Sequence, residues 1–134
     1  MATMASEPGQ QRGEPMVRTV AMPADTNGNG DIFGGWVLSQ MDIAGGICAG
    51  RLVKGRLATV AIEGMKFHRP IAVGDLVSLY ARITRTGTTS VTVEIETIVN
   101  RRDQEDEIMV TEGSFVYVAI DDDGQPRPLP PDAG

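Results

Sequence analysis

One cysteine, one histidine and only a handful of aromatics (three Phe, two Tyr, one Trp) are spread through 134 residues. A single thiol, Cys48, cannot close an internal disulfide, and such thiol economy suits the cytosol. A Ser-His-Asp triad would require the single imidazole, His68 in "FHRP", to meet Ser39, so that machinery is set aside. With so few rings the core must be aliphatic. Basic residues are outnumbered, 12 against 18 acidic ones, and the net charge is −6. Apart from Arg101-Arg102 no basic cluster exists, which argues against nucleic acid as a partner. A phosphorylated ligand, needing only a few local cations, stays open.

No basic-then-apolar layout marks the start of the chain as a signal peptide. Residues 1–15 read as a disordered leader, 16–120 as one folded domain, and 121–134 ("DDDGQPRPLPPDAG") as an acidic, Pro-rich tail. The longest apolar run covers 32–50. Asp42 near its middle, little Leu, and the β-like segments that follow make it a buried helix rather than a membrane span. The expectation is a soluble cytoplasmic protein with no membrane partner.

What is present has two periods. "MVRTVAMP" (16–23) is a short strand stopped by Pro23, and "ADTNGNGD" is loop. The helix then runs to about Lys54, with Gly55 as its stop. Beyond it the alternation is that of strands: "LATVAIEGMKF", "LVSLYARIT" with Val77, Leu79, Ala81 and Ile83 on one parity, "SVTVEIETIV" with Val91, Val93 and Ile95, and "IMVTEGSFVYVAI" with Val116, Val118 and Ile120. Strand, helix and four antiparallel strands make an α+β chain. Five strands have one face to cover and one helix to cover it, so the helix is buried on most of its circumference. This is a hot-dog fold, a five-stranded antiparallel sheet wrapped around one long central helix. Free edges and an uncovered outer face predict a homo-oligomer.

"DTNGNGDIFGGW" imitates a calcium loop, but its twelfth position is Trp36 instead of a bidentate Glu, and Pro23 prevents a preceding helix. No metal site is assigned. Helical spacing puts Gly35, Ser39, Asp42, Gly46, Ala49 and Gly50 on one face of small residues with one acid in its middle. Ile43, Ile47 and Leu52 fall elsewhere, with Trp36 and Met41, to supply core contacts. Cys48 also falls on another face, as core packing. Glycine costs about 1 kcal/mol in a helix interior, so the stripe implies a close approach. Two readings remain: tight packing with Asp42 bonded to a neighbouring amide or hydroxyl, or a carboxylate in a groove acting as general base or nucleophile. The entry "GDIFGGW" offers free N–H groups at the positive end of a helix dipole, suited to an oxyanion or phosphate. Gly35 and Asp42 are about 10 Å apart at 1.5 Å per residue. One carbonyl cannot touch both, so joint action predicts sites shared between subunits.

"MPADTNGNGDIFGGWVLSQMDIAGG", "GRLATVAIEGMKFHRPIAVGD", "TGTTSVTVEIE" and "VTEGSFVYVAIDDDGQPRPLP" together resemble the bacterial acyl-CoA thioester hydrolases of the YciA type. These are hot-dog proteins related to the mammalian cytosolic acyl-CoA hydrolases, and the similarity runs from about Met16 to Pro131. The resemblance implies hydrolysis of an acyl-CoA to the free acid and CoA, with no cofactor beyond the CoA of the substrate. It matches the family's catalytic acid to Asp42, and the family's Gly-rich entry to Gly30, Asp31, Gly34 and Gly35. Main-chain N–H groups there polarise the carbonyl, with Gly35 and a second polar contribution from Asp31 in the catalytic set and Gly34 contacting substrate. It also implies a trimer of dimers with CoA along the subunit boundaries. For the CoA phosphates the expected contacts are Arg82, Arg85 and the loop Thr86, Gly87, Thr88, Thr89 and Ser90. Gly64 and His68 depart from the usual family residues and bear on acyl-chain preference. The contrasting non-enzyme reading is a hot-dog protein that binds an acyl or CoA group without turnover. A hot-dog hydratase would need a histidine on the helix, which has none.

Overall fold

The alternating segments become strands of one antiparallel sheet in a computed structural model that describes residues 12–131. In chain order they are β1 (Val17–Val20), α1 (Gly34–Val53), β2 (Leu57–Phe67), β3 (Leu76–Thr86), β4 (Ser90–Asn100) and β5 (Glu107–Ala119), with a 3-10 turn at Pro23–Asp25 between β1 and α1. The sheet order is β1-β3-β4-β5-β2, which leaves β1 and β2 at the edges. The leader lies almost wholly outside the described residues, as do the last three positions of the tail.

The Asx residues of "ADTNGNGD" turn the chain toward the helix. The Asn27 side-chain carbonyl accepts from the N–H groups of Asn29 (2.8 Å) and Asp31 (3.2 Å). Ile32 then bonds Ile71 through the backbone at 3.0 Å, which ties the start of the helix to the loop before β3. Lys54 caps the other end, its N–H on Gly50 O at 3.1 Å, and Gly55 follows at φ +110°, as the sequence leads one to expect.

Helix α1 lies on the sheet face carrying Val77, Leu79, Val91, Val93, Ile95 and Val99, all fully buried. The core face of α1 is Val37, Met41, Ala44, Gly45, Ala49 and Val53. This corrects two expectations. Ile43 and Ile47 are 51 % and 39 % exposed, not core. Ala49 belongs to the core stripe and not to the small face. A helix apolar on every side carries no internal mark of which side the sheet will take, and here the sheet takes the side of Val37, Met41, Ala44, Gly45, Ala49 and Val53, where Ala44 and Gly45 let helix and sheet come close. Within one chain α1 is therefore covered on one side only, and not buried on most of its circumference as the sequence led one to expect.

The parity of β5 also differs from the sequence reading. Phe115, Tyr117 and Ala119 face the core, while Val116, Val118 and Ile120 are half-buried. Both parities of this strand are apolar, and the two aromatic rings, which stack with centroids 6.4 Å apart, take the face that removes more area from water.

Edge strand β2 pairs only with β5 and is twice irregular, between Thr59 and Ala61 and between Glu63 and Lys66. Gly64 sits in the second irregularity at φ +61°, a conformation that favours glycine. Val60, Ile62 and Phe67 on this strand remain 46–56 % exposed. No helix among the described residues is long and apolar enough to cross a membrane.

Candidate active site

Asp42 lies half-buried in the middle of α1, and two hydroxyl groups from different strands meet its carboxylate. Thr59 on β2 donates to Oδ1 at 2.7 Å. Tyr117 on β5 lies 3.2 Å from the same oxygen and 3.0 Å from the Asp42 main-chain carbonyl. Thr59 and Tyr117 are direct cross-strand partners in the β2–β5 ladder, so one rung of the sheet addresses one helical residue. Oδ2 of Asp42 has no hydrogen-bond partner among the described residues. The carboxylate thus has one anchored oxygen and one free oxygen.

Tyr117 is itself buried. Its hydroxyl is pushed well above the ordinary phenol range, first by burial, then by the negative charge of Asp42 and their hydrogen bond, and lastly by Cys48. Neutral and protonated, it can only act here as a donor. Cys48 is half-buried against the core, as expected. Its thiol is raised by burial, with Arg51 pulling the other way. Neither position nor ionisation makes it a nucleophile.

The Gly-rich entry also has the expected form. Phe33 occupies the N-cap position without a side-chain cap, and the N–H groups of Gly34 and Gly35 find no acceptor among the described residues. Gly35 is exposed, and a Cβ there would meet nothing within 4 Å; the same holds at Gly46 and Gly50. The small face of α1, with Asp42 on its border, is open. Gly34 is flanked by the Phe67 ring, 3.7 Å from where its Cβ would be. Asp31 stays in the loop, where its backbone bonds Asn27 and no side-chain bond joins it to Asp42.

The residues expected to hold CoA phosphates are not brought to this entry within one chain. Arg82 lies on the opposite face of the sheet, paired with Glu94 at 2.6 Å. The Thr86–Ser90 loop closes the β3–β4 hairpin at the C-terminal end of α1. Thr88 O there accepts from Leu129 N at 2.9 Å, while Arg127 reaches Lys54 O at the same distance. Residues 121–131 are thus a docked strap. Arg85 has no ion-pair partner among the described residues. His68 is exposed and lies 2.8 Å from Glu112 across the strands, away from Asp42.

Thr59 and Tyr117 were not among the candidate residues, and neither was Gly45. The available signal was a tyrosine alternating with Phe115: a buried phenol needs a partner for its O–H, and the lone acid of the helix was the one on offer.

Comparison with known proteins decides the family. The thioesterase superfamily profile matches residues 29–105, from the loop before α1 to the turn after β4. The chain belongs to the thioesterase superfamily. Within it, this thioesterase falls among the YciA-type acyl-CoA thioester hydrolases. It is 53 % identical to acyl-CoA thioester hydrolase YciA of Salmonella typhimurium over 133 residues, 97 % of this chain and 98 % of the relative. A hexameric thioesterase from Yersinia pestis superposes with a TM-score of 0.83 at 54 % identity, covering 88 % of this chain and 96 % of the other. A hexameric hotdog-fold thioesterase of Campylobacter jejuni gives 0.86 at 39 % identity, covering 91 % and 94 %. The fold of this thioesterase is the hot-dog fold.

Proposed function

We propose that the chain hydrolyses acyl-CoA thioesters, with water as co-reactant, to the free carboxylic acid and CoA. The observation that carries the reading is Asp42, a carboxylate whose Oδ1 is held by Thr59 and Tyr117 and whose Oδ2 is free on an open helix face. In this reading Oδ2 either takes a proton from the attacking water, or attacks the thioester carbon itself to form an acyl anhydride that water then hydrolyses to the free acid and the restored carboxylate. The N–H groups of Gly34 and Gly35 receive the oxyanion, and Asp31 adds a polar contact beside them. Thiolate leaves as CoA and is protonated. No cofactor or metal is required beyond the CoA of the substrate, and the single cysteine suits a cytoplasmic setting.

The sites are completed by a second copy of the chain. Two features support this: the ~10 Å along α1 between Gly35 and Asp42, and the uncovered edge strand β2 with exposed Val60 and Ile62. The assembly is a homo-oligomer, a trimer of dimers, in line with the hexameric relatives. CoA lies along the subunit boundary. Arg85 is the more available cation for its phosphates, because a phosphate reaching Arg82 has to compete with Glu94.

Thiol release from a panel of acyl-CoAs, measured for the wild type and Asp42→Ala, tests the reading. Wild-type turnover that the substitution abolishes is expected. A wild type inert toward every acyl-CoA would favour a binding protein, and undiminished turnover in Asp42→Ala would remove Asp42 from the mechanism. For the shared sites, Asp42→Ala subunits are mixed with subunits carrying bulk at Gly35. Recovered activity in the mixed oligomers is expected, and none in oligomers shown to be mixed would count against the composite site.

A further inference from the structure

Tyr117 makes an unusual demand on the helix above it. The Tyr117 hydroxyl occupies the place of a Gly45 Cβ, and that Cβ would also lie 2.8 Å from Ile95 Cδ1 and 2.9 Å from Tyr117 Cζ. The helix therefore does without a side chain at Gly45, at a cost of about 1 kcal/mol relative to alanine. A core need not be built this way. A Phe at 117 would fill the same space without a polar atom to satisfy. The hydroxyl is instead directed at two acceptors of one residue, Asp42 O and Asp42 Oδ1.

We infer that Tyr117 is a positioning residue for hydrolysis: with Thr59 it holds Oδ1 of Asp42, so that Oδ2 is the oxygen presented to water or the thioester. The inference rests on Asp42 being the reacting acid. A carboxylate on a helix surface turns about its terminal torsion with little resistance, because that torsion is broad and roughly two-fold. Two donors on one oxygen, one from each strand of a single rung, remove that freedom. The single phenol proton is shared between Oδ1 and the Asp42 main-chain carbonyl, so the same donor ties the carboxylate to the backbone of its own residue. Productive orientation is then built in before substrate arrives, and reorientation does not add to the barrier. Tyr117 contributes no atom to the reaction. It remains a protonated donor, because burial and the adjacent Asp42 and Cys48 all oppose its ionisation.

The test is steady-state kinetics on an acyl-CoA that the wild type turns over, with Tyr117→Phe, Thr59→Val, Thr59→Ser and Asp42→Asn as full-length oligomers. Tyr117→Phe keeps the ring stacked on Phe115, so folding is expected and is checked by the thermal midpoint. The expected result is a fall in kcat of about tenfold or more with KM within about twofold, as for a group that orients the reacting atom. Thr59→Val should act in the same direction and Thr59→Ser should restore kcat, since it returns the donor. Because Thr59 is exposed, this pair keeps the Oδ1 anchor testable if Tyr117→Phe fails to fold. Wild-type kcat in folded Tyr117→Phe, alongside inactive Asp42→Asn, would overturn the positioning role alone. Wild-type turnover in Asp42→Asn would overturn the reading on which it rests.

Discussion

Tyr117 and Gly45 share one volume: the phenol oxygen of the strand residue stands where the helical residue would carry its Cβ. The contact joins the most constrained glycine of α1 to the residue that anchors Asp42. It also separates two kinds of glycine in one helix. Gly45 faces inward and admits Tyr117, whereas Gly35, Gly46 and Gly50 face outward into open space.

That difference is measurable. Gly45→Ala is expected to lower stability by about 1–3 kcal/mol, because the neighbours that must yield are a buried ring and the tip of Ile95. Gly46→Ala meets nothing in its own chain and is expected to leave stability unchanged or raise it by up to about 1 kcal/mol through helix propensity. Urea unfolding of both variants checks the contrast. A fall in turnover for Gly46→Ala at unchanged stability reports what approaches the stripe from outside the chain.

The raised Tyr117 predicts how stability responds to alkali. The folded chain holds this proton more tightly than the unfolded chain, in which the phenol titrates near its ordinary value of about 10. The contribution is complete below that value. It declines as pH rises above it toward the higher folded value, because the unfolded state gains by ionising first. Thermal midpoints of the wild type and Tyr117→Phe, compared from neutral pH to pH ~11, should show the variant with the shallower alkaline decline. Parallel curves would mean that the phenol ionises alike in both states.

Cys48 is expected to be slow to react. Burial raises its thiol and Arg51 only partly opposes this, so little thiolate is available at neutral pH. Alkylation followed by mass should be slower in the folded protein than in urea by about tenfold or more. Equal rates would contradict the packing described here.

Edge strand β2 gives a prediction about assembly. A lysine introduced at Val60 or Ile62 places charge on β2, a long strand whose outer edge is unpaired among the described residues. Light scattering should show a smaller species than the wild type, with turnover falling in parallel if the sites are shared between copies. An unchanged mass for both substitutions would move the interface elsewhere.

Much of this was legible from the chain. Alternation in "SVTVEIETIV" places Val91, Val93 and Ile95 in the core, and all three are fully buried. Asx and Gly residues mark the loop before α1, and the lone acid of an apolar helix marks Asp42. Two kinds of fact were not legible. In α1 and β5 both sides are apolar, so periodicity could not choose Ala44 and Gly45 over Ile43 and Ile47, or Tyr117 over Val116. The partners of Asp42 were also hidden, since Thr59 is 17 positions away and Tyr117 is 75.

By itself the sequence determined the element order, the strand faces wherever polar and apolar residues alternate strictly, the open Gly34–Gly35 entry and the acid in mid-helix. These are local properties, set by propensity, period and turn chemistry within a few residues. Only the tertiary structure decided which side of α1 is core, which rung of the sheet meets it, and which oxygen of Asp42 is left free. Those depend on how closely a glycine lets helix and sheet approach, and on a pairing register that brings Thr59 opposite Tyr117. No local pattern encodes a distance between segments so far apart in the chain.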